Sequence, residues 1–327
     1  MKRVRVIATG GTIASKVDPA TGGAVPSVTG EELVAALPGV ERHAEVSVEQ
    51  FSNVPSQALS LEQMLALGRR CFEVHQRDQA DGIVVTMGTN TLAECAYLLD
   101  LTLDIPEPVV VTGAMRNPSL IAPDGPRNLF DAIVTAASDE ARGRGVLVCM
   151  NGQLHEPREV TKTHTMDVAT FQSPGFGPIG VVSNGRALFY RTPAFKERLP
   201  VDRIGARVEL VVAVEADDGR LVDAAVEYCG ADGVVVAGMG GGHVPPGMVP
   251  ALRRAVERGV PVVMVSRCFA GNLLEDGYGY PGGDVELRRL GVIWGGSLQG
   301  PKARIKLLLA LSRTRDPEEV RALFHNL

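Results

Sequence analysis

The chain is expected to be an α/β protein of two domains, on the strength of three observations. Short runs of valine, isoleucine and leucine alternate with longer segments of helical periodicity, the pattern of parallel strands joined by crossover helices. Most of those runs are continuous rather than alternating, as in strands covered on both faces. The 327 residues also exceed what one hydrophobic core usually supports, since domains run to roughly 100–200 residues. A large N-terminal domain with a mostly parallel sheet flanked by helices should precede a smaller C-terminal α/β domain.

The opening MKRVRVIATGG has basic residues but too short an apolar run for a secretory signal, so it reads as a first strand over residues 4–9. Further strands are expected over 82–86, 109–112, 146–150, 208–214, 233–237 and 260–265. Between them Leu61, Met64, Leu65, Cys71 and Phe72 recur at helical spacing, and the segments 126–138 and 301–312 behave alike. Helices packed on the sheet follow. Pro193, Pro200 and several charges interrupt the pattern, which places domains at 1–190 and 208–327 with a linker over 191–207.

Composition excludes several classes of function. With 45% hydrophobic and 22% charged residues, the chain buries enough apolar surface to offset chain entropy. A net charge of −5 gives no basic field for phosphate backbones or anionic lipid, so neither nucleic acid nor membrane is an expected partner. No segment has the ~18 apolar residues of a membrane span, and the expected location is the cytoplasm. The 5 cysteines have no metal-type spacing and read as buried free thiols.

Two segments share one form, an apolar strand that ends in a loop of glycine and threonine: Val6-Ile7-Ala8-Thr9-Gly10-Gly11-Thr12 and Ile83-Val84-Val85-Thr86-Met87-Gly88-Thr89-Asn90. In a parallel sheet the carboxyl ends of strands line one crevice, so both loops can converge on one ligand. Glycine beside each threonine lets backbone amides approach closely, as an oxyanion site requires. Taken singly, each loop is equally explained as a glycine turn with a threonine cap.

ATGGTIAS, VVTMGTNT, VTGAMR, DGPRNLFDA, EVTKTHTMDVATFQSP and GPKARIKLLLAL follow one another as in bacterial L-asparaginases, and the chain resembles that family over nearly its whole length. The resemblance implies an amidohydrolase that converts a small carboxylate-bearing amide to acid and ammonia through a threonine ester. Thr12 matches the attacking hydroxyl, Thr89 the second threonine and Lys162 the lysine that accepts or relays its proton. Ser56 and Gln57 match the pair that grips the substrate's α-carboxylate, and amides near Gly11, Thr12, Gly88 and Thr89 would form the oxyanion site. The family also implies a homo-oligomer, usually a dimer of dimers whose subunits complete one another's sites.

Two departures bear on substrate. Asn90 stands where the family carries an aspartate that pairs with the α-ammonium group, and no tyrosine lies between Thr12 and Gln57, where the family has one in a flexible loop. Loss of the carboxylate weakens the hold on a zwitterion and eases deprotonation of Lys162. A hydrolase for an amide or lactam without the α-amine, and a silent ligand-binding homologue, stay open beside asparagine hydrolysis. Met87, where the family commonly has histidine, reads as core packing.

The remaining motifs have plain readings. Gly238-Met239-Gly240-Gly241-Gly242-His243 lacks the last glycine of a dinucleotide loop, although the family's glycine loop makes His243 a candidate near the partner's substrate. Pro301 spoils the phosphate-loop likeness of 295–302. His155, Glu156, Glu159 and His164 match no zinc spacing. No metal or other cofactor is expected.

Overall fold

The structure is a computed structural model and describes residues 1–192 and 196–324. The chain divides into two compact units, Met1–Arg198 and Leu199–Leu327. Pro193, one of the residues that marked the expected linker, lies outside the described residues.

In the first unit the order is β1 (Lys2–Ala8), β2 (Ser15–Val17), β3 (Ala24–Pro26), α1 (Gly30–Ala35), β4 (Ala44–Gln50), α2 (Leu61–Glu73), β5 (Gly82–Thr86), α3 (Leu92–Thr102), β6 (Val109–Thr112), α4 (Gly125–Ala136), β7 (Val146–Met150), β8 (Gln153–His155), β9 (Thr161–Lys162), β10 (Phe171–Gln172), β11 (Gly180–Ser183) and β12 (Arg186–Phe189). The main sheet has eight strands in the order β12-β11-β8-β7-β6-β5-β1-β4. From β4 to β7 it is parallel, and β8, β11 and β12 extend it antiparallel.

Every residue of β5, β6 and β7 is buried, which explains their unbroken apolar composition. The β4 sequence AEVSVEQ is different because this strand is an edge, where charged side chains discourage pairing with another sheet. Helix α2 starts at a reciprocal cap in which Ser60 accepts from the Gln63 amide and the Gln63 side chain accepts from the Ser60 amide. Its stripe differs from expectation at one point: Phe72 is exposed and its ring lies 6.0 Å from His75, because it sits one residue round the helix from buried Cys71.

The second unit contains β13 (Val208–Val212), α5 (Arg220–Glu227), β14 (Gly233–Gly238), α6 (Val249–Glu257), β15 (Val262–Ser266), α7 (Asp284–Leu290), β16 (Ile293–Trp294), α8 (Gly300–Arg313) and α9 (Pro317–Phe324). Its four strands are parallel in the order β13-β14-β15-β16. Val234, Val236 and Met264 pack with Met248, Leu252 and Leu287. Pro301 falls in the first turn of α8, where its missing N–H and fixed φ are tolerated.

The thiols divide. Cys71, Cys95 and Cys149 are buried, and desolvation pushes Cys71 and Cys95 up to about 12 and Cys149 higher still. Cys229 and Cys268 are exposed, which corrects the expectation for these two. Each lies just past its element, after α5 and β15, where the apolar run that made it look buried has ended.

Candidate active site

The chain runs from β1 to β4 on one side of it and then returns to β5 on the other. The carboxyl ends of β1 and β5 therefore flank the point where strand order reverses, the usual crevice for a ligand in an open parallel sheet. Register pairs Ala8 with Thr86, so the two glycine–threonine loops leave adjacent strands at the same level. Thr9 donates to the Thr86 carbonyl through its amide at 3.0 Å and its hydroxyl at 2.9 Å.

The loops then meet backbone to backbone. Gly11 has φ 83°, and a Cβ placed on it would lie 2.2 Å from the Gly88 nitrogen. No other residue satisfies both the left-handed backbone and the contact. A third segment closes in, since a Cβ on Gly88 would lie 2.9 Å from Ser56 Oγ. Buried Ser56 accepts from the Thr91 amide at 3.3 Å, and its carbonyl accepts from the Thr91 hydroxyl at 3.1 Å. The Asn90 amide donates to Gln57 Oε1 at 3.1 Å. That bond leaves Asn90 its Oδ1 acceptor and a second N–H, and Gln57 both N–H donors and a further lone pair on Oε1.

Lys162 arrives from β9, which pairs it with Phe171 of β10. Its Nζ donates to Thr89 Oγ1 at 3.0 Å. Burial holds the Lys162 ammonium below the usual lysine range, because desolvation disfavours the charged form. Thr12 opens a short 3-10 turn, Thr12–Ala14, and is half-buried. Among the described residues its hydroxyl has no hydrogen-bond partner, so Thr89 has a proton carrier in contact and Thr12 does not.

The structure thus brings Gly11 onto Gly88, Ser56 beside Gly88, Gln57 onto Asn90 and Lys162 onto Thr89. Residues without an expected role support them. Asp124 accepts from the amides of Met115 and Arg116, at 3.0 and 2.8 Å, and Asn128 donates to the Gly113 carbonyl at 3.0 Å. Gly113 lies behind Thr89, with room for no side chain before the Met87 carbonyl. VTGAMR and DGPRNLFDA displayed these residues, but nothing local indicates that one loop holds the other. Met87 is fully buried and packs as expected.

The metal-capable side chains are engaged elsewhere. His155 Nδ1 meets Ser173 Oγ at 2.9 Å, Glu156 and Glu159 pair with Arg191, and His164 Nδ1 accepts from Met166 and Asp167. In the second unit the glycine run is closed by Met239 donating to the His243 carbonyl at 2.8 Å. The His243 ring there lies 3.0 Å from the Tyr280 hydroxyl and 3.5 Å from Asp284.

Comparison with known proteins fixes the class. The family described as "Asparaginase, N-terminal" matches residues 3–195, and "Glutaminase/Asparaginase C-terminal domain" matches 207–324. L-asparaginase 2 of Escherichia coli (strain K12) is 38% identical, over 99% of this chain and 93% of its own length. The glutaminase-asparaginase of Pseudomonas fluorescens biotype A is 33% identical, over 99% and 90%. The crystal structure of a probable cytoplasmic L-asparaginase from Campylobacter jejuni superposes with a TM-score of 0.88 at 31% identity and covers 99% of both chains. The chain is a hydrolase of linear amide C–N bonds. It belongs to the asparaginase family.

Proposed function

We propose that this hydrolase takes L-asparagine or a closely related small amide bearing a carboxylate, with Thr12 as nucleophile. The observation that carries the reading is the 3.0 Å contact of Lys162 Nζ with Thr89 Oγ1 in the crevice between β1 and β5. Thr12 Oγ attacks the amide carbon as its own proton passes to the Thr89–Lys162 pair, and the oxyanion so formed lies against the amides of Gly11, Thr12, Gly88 and Thr89. Collapse breaks the C–N bond, and ammonia leaves with a proton relayed through Thr89 and Lys162. Water, deprotonated by the same pair, then cleaves the Thr12 ester. Ser56 and Gln57 hold the substrate carboxylate with neutral donors.

A second reading, an amide or lactam without an α-amine, is favoured by the Asn90–Gln57 bond, which puts a neutral pair where an ammonium group would seek an anion. Ammonia release from L-asparagine, L-glutamine, D-asparagine, succinamate and simple amides separates the two. Release from asparagine well above succinamate supports the first, and release from succinamate well above asparagine selects the second.

The same reading assigns the catalytic threonines to a domain over 1–190, joined through 191–207 to a C-terminal domain over 208–327. It also expects a cytoplasmic homo-oligomer, a dimer of dimers whose subunits complete one another's sites, as the family resemblance implies. Activity should track oligomer formation in sedimentation, and a fully active monomer contradicts it. No helix among the described residues is long and apolar enough to cross a membrane.

A further inference from the structure

Lys162 must place a long, flexible side chain on one hydroxyl, yet the strand that delivers it is only the pair Thr161–Lys162. On its C-terminal side it is held by β10 and by the Thr163 amide donating to the Thr170 carbonyl at 2.8 Å. On the other side the chain turns at residues 156–160, where the amides of Glu159 and Val160 donate to the Glu156 carbonyl at 3.1 and 3.0 Å.

An ion cluster closes it. Arg191 Nη1 donates to Glu156 Oε1 at 3.1 Å and Glu159 Oε1 at 3.4 Å, and Nη2 donates to Glu159 Oε2 at 2.5 Å and the Gly177 carbonyl at 2.8 Å. The two carboxylate groups are 4% and 1% exposed, the guanidinium 30%. Burial, then repulsion from Glu159, pushes Glu156 up to about 7. Two carboxylates crowded out of water add nothing that an apolar pair would not supply more easily. What they provide is direction, because a planar guanidinium gripping both carboxylates permits one geometry.

We propose that Arg191 is a positioning residue for Lys162, clamping Glu156 and Glu159 across the turn that delivers the lysine to Thr89. Arg191 follows β12, the sheet edge opposite β4, so the outermost antiparallel arm sets the placement of a side chain at the central crevice. The inference rests on Lys162 being the proton carrier of the amide reaction.

The test measures kcat and KM for the substrate with the fastest ammonia release, with kcat normalised to folded protein by circular dichroism. Arg191→Met should lower kcat on the order of ten-fold or more, because displacements near 1 Å can cost that much, while KM stays within about twofold since Ser56 and Gln57 are untouched. Arg191→Lys keeps the charge but cannot fork across both carboxylates, so its kcat should fall between the parent and Arg191→Met. If the methionine variant fails to fold, the lysine variant decides alone, with a kcat several-fold below the parent expected. Normalised kcat within twofold of the parent in the deciding variant overturns the proposal, as does a loss confined to KM. Lys162→Met is measured alongside: if it retains full turnover, the mechanism fails, whereas loss of turnover there with none in the Arg191 variants defeats only the clamp.

Discussion

Replacing Asn90 by aspartate tests what the crevice is built to hold. In the parent, Asn90 donates to Gln57 Oε1 at 3.1 Å, so the pair offers the substrate no net charge. Aspartate returns an anion at that position and reverses the bond, because only the Gln57 amide can then donate. Two effects follow with the same sign. An α-ammonium group gains a charged partner, an interaction of about 1.5–3 kcal/mol. Position 90 is exposed, so solvent screening favours the lower end. At about 1.4 kcal/mol per decade this is roughly ten-fold in specificity for an amine-bearing substrate. Gln57 meanwhile spends a donor on the new carboxylate that it would otherwise aim at the substrate's own, and amine-free amides lose that contact without compensation. The assay is kcat/KM for L-asparagine and for succinamate in both proteins. The ratio should move about ten-fold or more towards asparagine, and a ratio that stays put or moves towards succinamate refutes the placement of position 90 against the amine.

Three further outcomes are expected. Thr12→Ala and Thr89→Val should each reduce ammonia release by at least a thousand-fold, on the order seen when a nucleophile or its proton carrier is removed, with melting temperatures within a few degrees of the parent; substantial release by purified Thr12→Ala would falsify the nucleophile assignment. Lys162 is held below its unfolded value by burial, so the unfolded chain binds more protons between the two values and the penalty on folding is relieved as pH rises through that window; Lys162→Met should therefore abolish turnover yet raise the melting temperature at pH 7, and a lowered one would count against a desolvated ammonium. Glu156 is raised from 4.5 to about 7, so its contribution is fully present below pH 4.5 and lost as pH rises through 7, a swing on the order of 3 kcal/mol; relative to Glu156→Gln, the parent should weaken in urea melts between pH 5 and pH 8, and parallel stability curves would rule this out.

What the sequence disclosed follows from how each element is buried. Strands β5, β6 and β7 were legible to the residue because both faces are covered and the apolar run ends where the strand does. Strand β4 was not, since an edge alternates charge with valine and resembles a loop. Helix α3 was also hidden: Leu92, Cys95, Ala96, Leu98, Leu99 and Leu101 bury it on most sides between α2 and the sheet, so it carries no polar stripe to betray a period. The short arm β8, β11 and β12 has too few residues for any pattern. At the site, the paired glycine–threonine loops pointed to one crevice, and the family resemblance named Lys162 and Ser56. Thr91, Asp124 and Arg191 escaped because their partners lie 35, 8 to 9 and 32 to 35 residues away, and no local spacing encodes such a contact.

The pairing of Ala8 with Thr86 acts as a ruler for the chemistry. Each strand residue advances about 3.3 Å, so a slip of one position between β1 and β5 would carry one threonine a full bond-forming distance past the other and turn its neighbours to the wrong face. Alignment of the two loops is therefore inherited from ladder hydrogen bonds in the middle of the sheet rather than negotiated between the loops. On heating, turnover should persist until that ladder opens and then vanish with it in a single transition.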